Sequence, residues 1–443
     1  MAVSGQTLTL FAGALKRDYH GPIIDALNNM SVLYRLLDKD EESVSGEDLK
    51  AYVPIKIRRN QGIGARGEGG ALPTARYVKT VQMAIPLAYN YGAIQFTGQA
   101  IKASQKSATA FANVVDLEIN SMVEAIKVDT NRQFFGDGTG FLCMTNGAGA
   151  GDTSTVTVDT PGTQWLEEGM PIQSFPDKTT GSAEADSDIS EGLTESTAHI
   201  VGKIIDDTSF TLHDYNDSEI TTEQWADNRY IFRWGARGNE MMGLKGIVDN
   251  EAIKSESSWF GDGTAVTTIQ GLSRETYPIL NATIKHNSNT NTPITEKRIQ
   301  DLLDSIEKNA GKTNDNKSLI IVTTYGVRQN YIDLLQADRR YDASHDLTLV
   351  GGWRAVPYQA GNDKIPMVVD RHCIPNSLFV LDRRFLKIYR ASDFDWMDMD
   401  GSMFQRKIDS SGRYDSYEAI LYCYMNLGAT SFKNQGALRD ITE

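Results

Sequence analysis

Cysteine, histidine and long apolar runs are all scarce in this chain. Three cysteines in 443 residues, Cys143, Cys373 and Cys423, stand far apart. Neither a disulfide framework nor a CxxC metal or redox motif is available, and a reducing cytosol fits. The six histidines, His20, His199, His213, His286, His345 and His372, show no HxxxH or HExxH spacing, and no GxSxG nucleophile elbow occurs. His345-Asp346 supplies adjacency in sequence, which is not the geometry that acid/base catalysis needs. No run of eighteen apolar residues is present, and the start, MAVSGQTLTLFAGALKRDYHG, lacks a basic stretch leading into a continuous apolar one. A membrane span and an export signal are therefore not expected. Basic charge is in deficit as well: 44 Lys and Arg against 58 Asp and Glu leave a net charge of -14. That balance argues against tight, charge-driven binding to nucleic acid.

The deficit is local. Residues 151–230 hold seventeen acidic residues against three basic ones, Lys178, Lys203 and Arg229, and so carry the whole imbalance. Elsewhere the sign reverses. Between residues 54 and 80 stand Lys56, Arg58, Arg59, Arg66, Arg76 and Lys79 against Glu68 alone. The flanks Leu49 to Arg58 and Arg76 to Ala88 are rich in Tyr, Val and Ile, with QGIGARGEGGALPT between them. This predicts a long hairpin with a Gly-rich tip, an arm suited to an acidic partner.

What the chain has in abundance is one uninterrupted helical pattern. From Ala108 to Phe135 neither Pro nor Gly occurs, and Phe111, Val115, Met122 and Ile126 recur at helical spacing, with Asn113, Asp116, Asn120, Glu124 and Lys127 mostly opposite. A helix of that length would run roughly 42 Å. Before it, Gly21-Pro22 opens a predicted helix to Leu37, and Tyr89 to Thr97 reads as a short strand. After it, TSTVTVDT, AHIVGKII, SFTLHDY and RYIFRW predict a small antiparallel barrel or sandwich, with the polar piece Lys178 to Glu195 as a loop. Helices are expected over Leu272 to Ile284, Thr295 to Asn309 and about Tyr325 to Ala337. Buried strands are expected at Ser318 to Thr323, Met367 to Val369 and Leu378 to Leu381. Phe385 to Tyr389, Phe394 to Phe404 and Tyr417 to Tyr424 read as late strands, with Asp409 to Asp415 as a turn.

Candidate ligand sites weaken on inspection. Gly136 to Gly140 and Asn146 to Gly151 are Gly-rich, but neither is followed by GK[ST] and a helix precedes the first, so turn chemistry is expected. Asp393, Asp395, Asp398, Asp400 and Gly401 superficially match a calcium loop. With Gly401 sixth, however, Trp396 falls at the first ligand and Lys407 at the twelfth. No catalytic residue, metal or cofactor is assigned.

Taken together, the basic hairpin, the short strand, the long helix closing in NRQFFGDGTG, then NEMMGLKGIV (239–248) and IIVTTYGVRQNYIDLLQADRRY (320–341), resemble the major capsid protein of tailed bacteriophages. The resemblance implies an α+β, Hong Kong-97-like fold. Its parts would be an N-terminal arm (1–45), an E-loop hairpin (46–88), a P-domain with the spine helix (89–140), an inserted acidic β-domain (141–238), an A-domain (239–382), and P-domain return strands with the C-terminus (383–443).

The implied function is that of a non-enzymatic subunit that assembles with itself into hexamers and pentamers of an icosahedral shell around double-stranded DNA. It would be located in the virion, be assembled in the host cytoplasm, and have scaffolding, portal and decoration proteins as possible partners. A fused scaffold would need ~100 residues before the hairpin, so a scaffold, if used, is expected to be separate or cleaved away. The resemblance also implies an inter-subunit interface in which Arg58, Arg59, Arg66 and Arg76 meet acidic groups of a neighbour. The candidates for those groups are Asp393, Asp395, Asp398 and Asp400, or Asp116 and Glu124 on the long helix. Lys56 and Lys79 lie in the arm where some family members crosslink, but no partner asparagine or catalytic glutamate is identified. Two alternatives stand beside this reading. One is an encapsulin-like compartment shell, and the other an enzyme or sugar-binding protein that uses Trp165, Trp225 and Trp234 of the β-region.

Overall fold

The computed structural model describes residues 32–44, 48–99, 114–147, 155–159, 161–176, 199–214, 216–220, 225, 227–250, 266–311, 318–337, 347–348, 354–360, 363–397, 405–409 and 412–443. The architecture is α+β and rich in sheet. Contacts divide it into two units, one within residues 88–131 and 390–425, the other within 32–87, 132–389 and 426–443. No helix among the described residues is long and apolar enough to cross a membrane.

The first unit is built on a long antiparallel pair. Strand Ala88–Thr97 runs against Gly412–Ala429 from Ala88 opposite Met425 to Thr97 opposite Ser416. Alternation sends Ile94 and Phe96 inward with Ala419, Leu421 and Cys423. The long helix covers that face. Gly92 permits the approach, because a Cβ there would meet the Met122 sulfur at 2.6 Å. The described helix is Val114–Gln133, twenty residues, or about 30 Å; the predicted stretch before Val114 lies outside the described residues. Ile126 and Val128 are buried, whereas Asn120 and Lys127 stay exposed.

In the second unit a seven-stranded mixed sheet runs in the order Thr283–Lys285, Gly436–Leu438, Leu378–Asp382, Leu319–Thr323, Asp363–Val369, Arg354–Ala360, Leu347–Thr348. Its central strands, LIIVT and LFVLD, are buried at every residue, as strands covered on both faces must be. Helix Glu296–Ala310 starts as its sequence predicts. The Thr295 hydroxyl accepts the Arg298 N–H, and Gly311 closes the helix in the left-handed region. It buries Ile299, Leu302, Leu303 and Ile306 in one cluster with Ile321, Val380 and Leu438.

The same unit holds a six-stranded antiparallel sheet in the order Phe141–Met144, Tyr230–Arg233, Pro171–Phe175, His199–Asp206, Ser209–His213, Thr155–Thr157. Its two end strands meet. Thr145 bridges Val158, Asn146 N donates to Thr157 O (2.9 Å), and Asp159 N donates to Met144 O (2.8 Å). The sheet is thereby closed into a small barrel and has no free edge.

Three expectations need correction. Leu272–Ile284 is not a helix. It contains a two-residue strand returning from the turn Gln270-Gly271, both at positive φ, then a 3-10 turn at Pro278–Leu280 and the strand Thr283–Lys285. The reason is Arg274, fully buried, whose guanidinium donates to the carbonyls of Asp249, Leu280, Gly246 and Ile247. A regular helix would not gather those carbonyls around one side chain. Phe385–Tyr389 and Phe394 belong to one strand, Leu386–Trp396. Strands reach into the stretch Asp409–Asp415 expected to be a turn, since Asp409 pairs with Gly412 and Ile408 with Arg413. Of the predicted helix from Gly21 to Leu37, only Val32–Leu36 is described.

Candidate assembly interface

The basic arm is a two-stranded hairpin, Lys50–Arg58 against Lys79–Pro86. One face is apolar and covered: Ala51 and Ile55 on the first strand, Met83 and Ile85 on the second, are buried. The other face carries Tyr52, Lys56 and Gln82 to solvent. A lone hairpin is marginally stable in water, so its root is tied down. Ala84 N donates to Gln270 O (3.1 Å), and the Asn426 amide donates to Pro86 O (2.5 Å) while its oxygen accepts Met242 N (2.9 Å).

Residues 59–78 form the tip and have no regular structure beyond a turn in which Gly70 N donates to Gly67 O. Here the structure separates the four predicted arginines. Arg66 serves the tip itself, donating to Ala71 O (2.9 Å) and Ala65 O (3.0 Å) and so closing the loop. Arg58, Arg59 and Arg76 are exposed and make no hydrogen bond or ion pair with the described residues. Arg58 lies opposite Lys79 in the hairpin register. Like charges facing each other across a strand pair are destabilising; an anion between them would remove that cost. Apolar groups sit among these cations, with Ile63 80%, Leu72 86% and Tyr77 72% exposed. Large exposed apolar side chains thus stand beside arginines that make no hydrogen bond or ion pair with the described residues.

The acidic candidates are less fully visible. Asp395 is exposed, its carboxylate accepting only the Trp396 N–H at 2.8 Å among the hydrogen bonds described. Glu124 is half-buried and already engaged. Asp116 lies in the long helix and Asp393 in the strand Leu386–Trp396; their side chains, and Asp398 and Asp400 altogether, fall outside the described residues.

Sequence reasoning missed the use made of charge at the end of the long helix. The two motifs NRQFFGDGTG and NEMMGLKGIV pack against each other through buried ions. Arg132 pairs with Glu240 at 2.5 Å and Lys245 with Asp137 at 3.1 Å, each side chain 5% exposed or less. Leu244 N donates to Phe134 O (2.6 Å), and the second Asp137 oxygen accepts Thr139 N (3.1 Å). Lys245 thus reaches the Asp137 carboxylate within the Gly136–Gly140 loop. The signal was the spacing of one charge of each sign in each motif, which only the fold brings together.

Trp165 and Trp225 are 2% and 4% exposed, and Trp165 Nε1 donates to His372 O. These two are core residues, which corrects the reading of them as part of a sugar-binding surface, while Trp234 is 36% exposed. No group of three or more His, Cys, Asp or Glu poised for a metal occurs among the described residues, and His345-Asp346 lies outside them.

No protein-family model matches the sequence, and no curated protein matches it. Solved structures do match. The capsid asymmetric unit of Cyanophage A-1(L) aligns over 99% of this chain and 99% of its own, with a TM-score of 0.55 at 15% identity. The fold is a phage capsid fold. The capsid of Myoviridae Phage XM1 aligns over 99% of this chain and 100% of its own, with a TM-score of 0.46 at 8% identity. The SrpI encapsulin of Synechococcus elongatus PCC 7942 aligns over 95% and 92%, with a TM-score of 0.41 at 8% identity. In the capsid fold, the two sequence motifs that point to it, NRQFFGDGTG and NEMMGLKGIV, are the two halves of the buried ion-pair knot.

Proposed function

We propose that this chain is the structural subunit of a phage head, assembling with itself into hexamers and pentamers of an icosahedral shell that encloses double-stranded DNA. The observation that supports the reading is likeness in fold to the cyanophage capsid protein over 99% of both chains. In this reading residues 1–45 are the N-terminal arm, 46–88 the E-loop, and 89–140 with 383–443 the P-domain. The A-domain is 239–382, and 141–238, which contains the closed barrel, is an acidic domain inserted on the outer shell surface. Arg58, Arg59 and Arg76 at the E-loop tip reach a neighbouring subunit and meet its carboxylates, with Asp395 the acidic candidate whose exposure is described. Many modest contacts of this kind, repeated by symmetry, hold a shell together.

Electron microscopy and sedimentation of the purified protein test the reading. Capsomers or closed shells are the expected result, and a monodisperse monomer across assembly conditions would count against it. Particles from the native source should protect double-stranded DNA from nuclease; protein cargo in its place would favour a compartment shell.

A further inference from the structure

The small barrel is joined to the rest of its unit at two described places of different kind. The first is its root, where the chain enters and leaves. Gly238 N donates to Thr139 O (2.8 Å), and Gly140 and Gly238, one on each side of the barrel in sequence, lie at positive φ, 82° and 72°. Glycine takes that conformation freely, so the chain can turn at the root. The second is the turn Gly162–Leu166, which belongs to the barrel. Thr163 N donates to Asp207 O (2.9 Å), and its hydroxyl donates to Asp206 O (2.8 Å).

From that turn two adjacent side chains reach outward. Gln164 Nε2 donates to Arg371 O and to Cys373 O (3.0 Å), and Trp165 Nε1 donates to His372 O (3.1 Å). Three consecutive carbonyls are thereby taken by the barrel. They lie between Asp363–Val369 and Leu378–Asp382, two strands of the seven-stranded sheet. This acceptor turn is braced from its own side, since Asp370 N donates to Thr323 O (3.2 Å) and the Asp370 carboxylate accepts His372 N (2.9 Å). Trp165 and Leu166 are each 2% exposed, so the contact is closed to solvent.

We infer that Gln164 and Trp165 form a latch holding the barrel against the seven-stranded sheet, and that Gly140 and Gly238 are the hinge on which the barrel turns when the latch opens. The two attachments differ in strength. An amide and an indole donating to carbonyls are neutral hydrogen bonds, the weaker class. The root, in contrast, is continuous with the buried pairs Arg132–Glu240 and Lys245–Asp137. Local opening draws on the weakest contacts first. On release the three carbonyls meet water, so opening leaves no buried acceptor without a donor. The latch needs no second copy and stands apart from the shell-subunit reading. Within that reading it decides whether the inserted domain moves as one body with the seven-stranded sheet or swings on its root.

Hydroxyl-radical footprinting read by mass spectrometry tests this on the full chain. Gln164→Ala removes two of the three donors and leaves Trp165 in place as the reporter, with Trp225, 4% exposed in the barrel region, as the control. Oxidation of Trp165 should rise about tenfold while that of Trp225 stays unchanged. An unchanged Trp165 overturns the inference. So does a Trp225 that rises in step with Trp165, because the barrel would then be unravelling and not undocking. A second measurement needs no substitution: in urea below the unfolding midpoint, Trp165 of the unsubstituted protein should become reactive before Trp225 does. Simultaneous exposure of both at the global midpoint would mean that barrel and sheet open as one, and the latch would be refuted.

Discussion

Two regions of this chain use cations in opposite ways. At the end of the long helix, Arg132 and Lys245 are 3% and 2% exposed, and each is matched to one carboxylate. At the hairpin tip, Arg58, Arg59 and Arg76 are exposed and matched to nothing described, and Arg58 even faces Lys79. An ion taken out of water must be paired or the fold suffers, so the first set is fixed by the chain's own stability. An ion left in water needs no partner, so the stability of the single chain does not fix the second set. If the tip is an assembly arm, the difference between the regions separates residues kept for folding from residues kept for assembly.

The contrast can be broken first at its buried end. Lys245→Met leaves Asp137 buried without its cation, and removing one partner of such a pair should cost about 3–5 kcal/mol. Urea denaturation would show it as a lower midpoint with an unchanged slope. The double variant Lys245→Met/Asp137→Leu should recover much of that loss, because the unpaired charge is gone. A double variant as unstable as the single would mean that the ion pair is not the reason for the cost. Next in size is Thr295→Ala, which removes the hydroxyl that accepts Arg298 N at the start of helix Glu296–Ala310. About 1 kcal/mol is expected by the same measurement. A loss near zero would show that Glu296 and the buried face hold that helix end unaided.

Burial also predicts reactivity. Cys143 and Cys373 are fully enclosed, and burial pushes both thiols well above their usual range. A thiol-reactive dye should label neither in the folded protein and both in urea; rapid labelling of the native state would show that these regions open locally.

How much of this was legible in the sequence follows the range of the interactions. Local patterns carried far. The Thr295 cap with apolar residues at 299, 302, 303 and 306, the buried run at Leu319–Thr323, and the alternation of the hairpin flanks all report on neighbours within one turn or one strand, and the structure places them as expected. The small β-region was also visible, although its strands Phe141–Met144 and Pro171–Phe175 were not, because each is short and neither alternates. Leu272–Ile284 failed for the opposite reason: its apolar spacing suggested a helix, while Arg274 binds carbonyls that come from residues up to 28 positions away. The ion-pair knot was hidden in the same manner, since Arg132 and Glu240 lie 108 residues apart. Among the site residues, the sequence located the basic hairpin but could not tell that Arg66 is spent on holding its own loop.

The smallest effect on the folded chain should be the largest on assembly. Arg58→Glu/Arg59→Glu changes two exposed side chains with no partner among the described residues, so the urea midpoint should correspond to a change within about 0.5 kcal/mol. It even relieves the repulsion of Arg58 by Lys79. If the tip is an assembly arm, the same variant meets a surface chosen for cations with two anions, and like-charge contact across an interface costs several kcal/mol at each site. Repeated at every subunit of a closed shell, that penalty should abolish particles in electron micrographs while the circular dichroism spectrum stays that of the unsubstituted chain. Arg66→Glu separates the two uses of arginine within the tip. It removes the donors to Ala65 and Ala71, so its defect should come partly from a loosened loop and be detectable as faster proteolysis between residues 60 and 76. Normal shells from Arg58→Glu/Arg59→Glu would return these cations to the status of solvated surface charge, and the contrast with Arg132 and Lys245 would then say nothing about assembly.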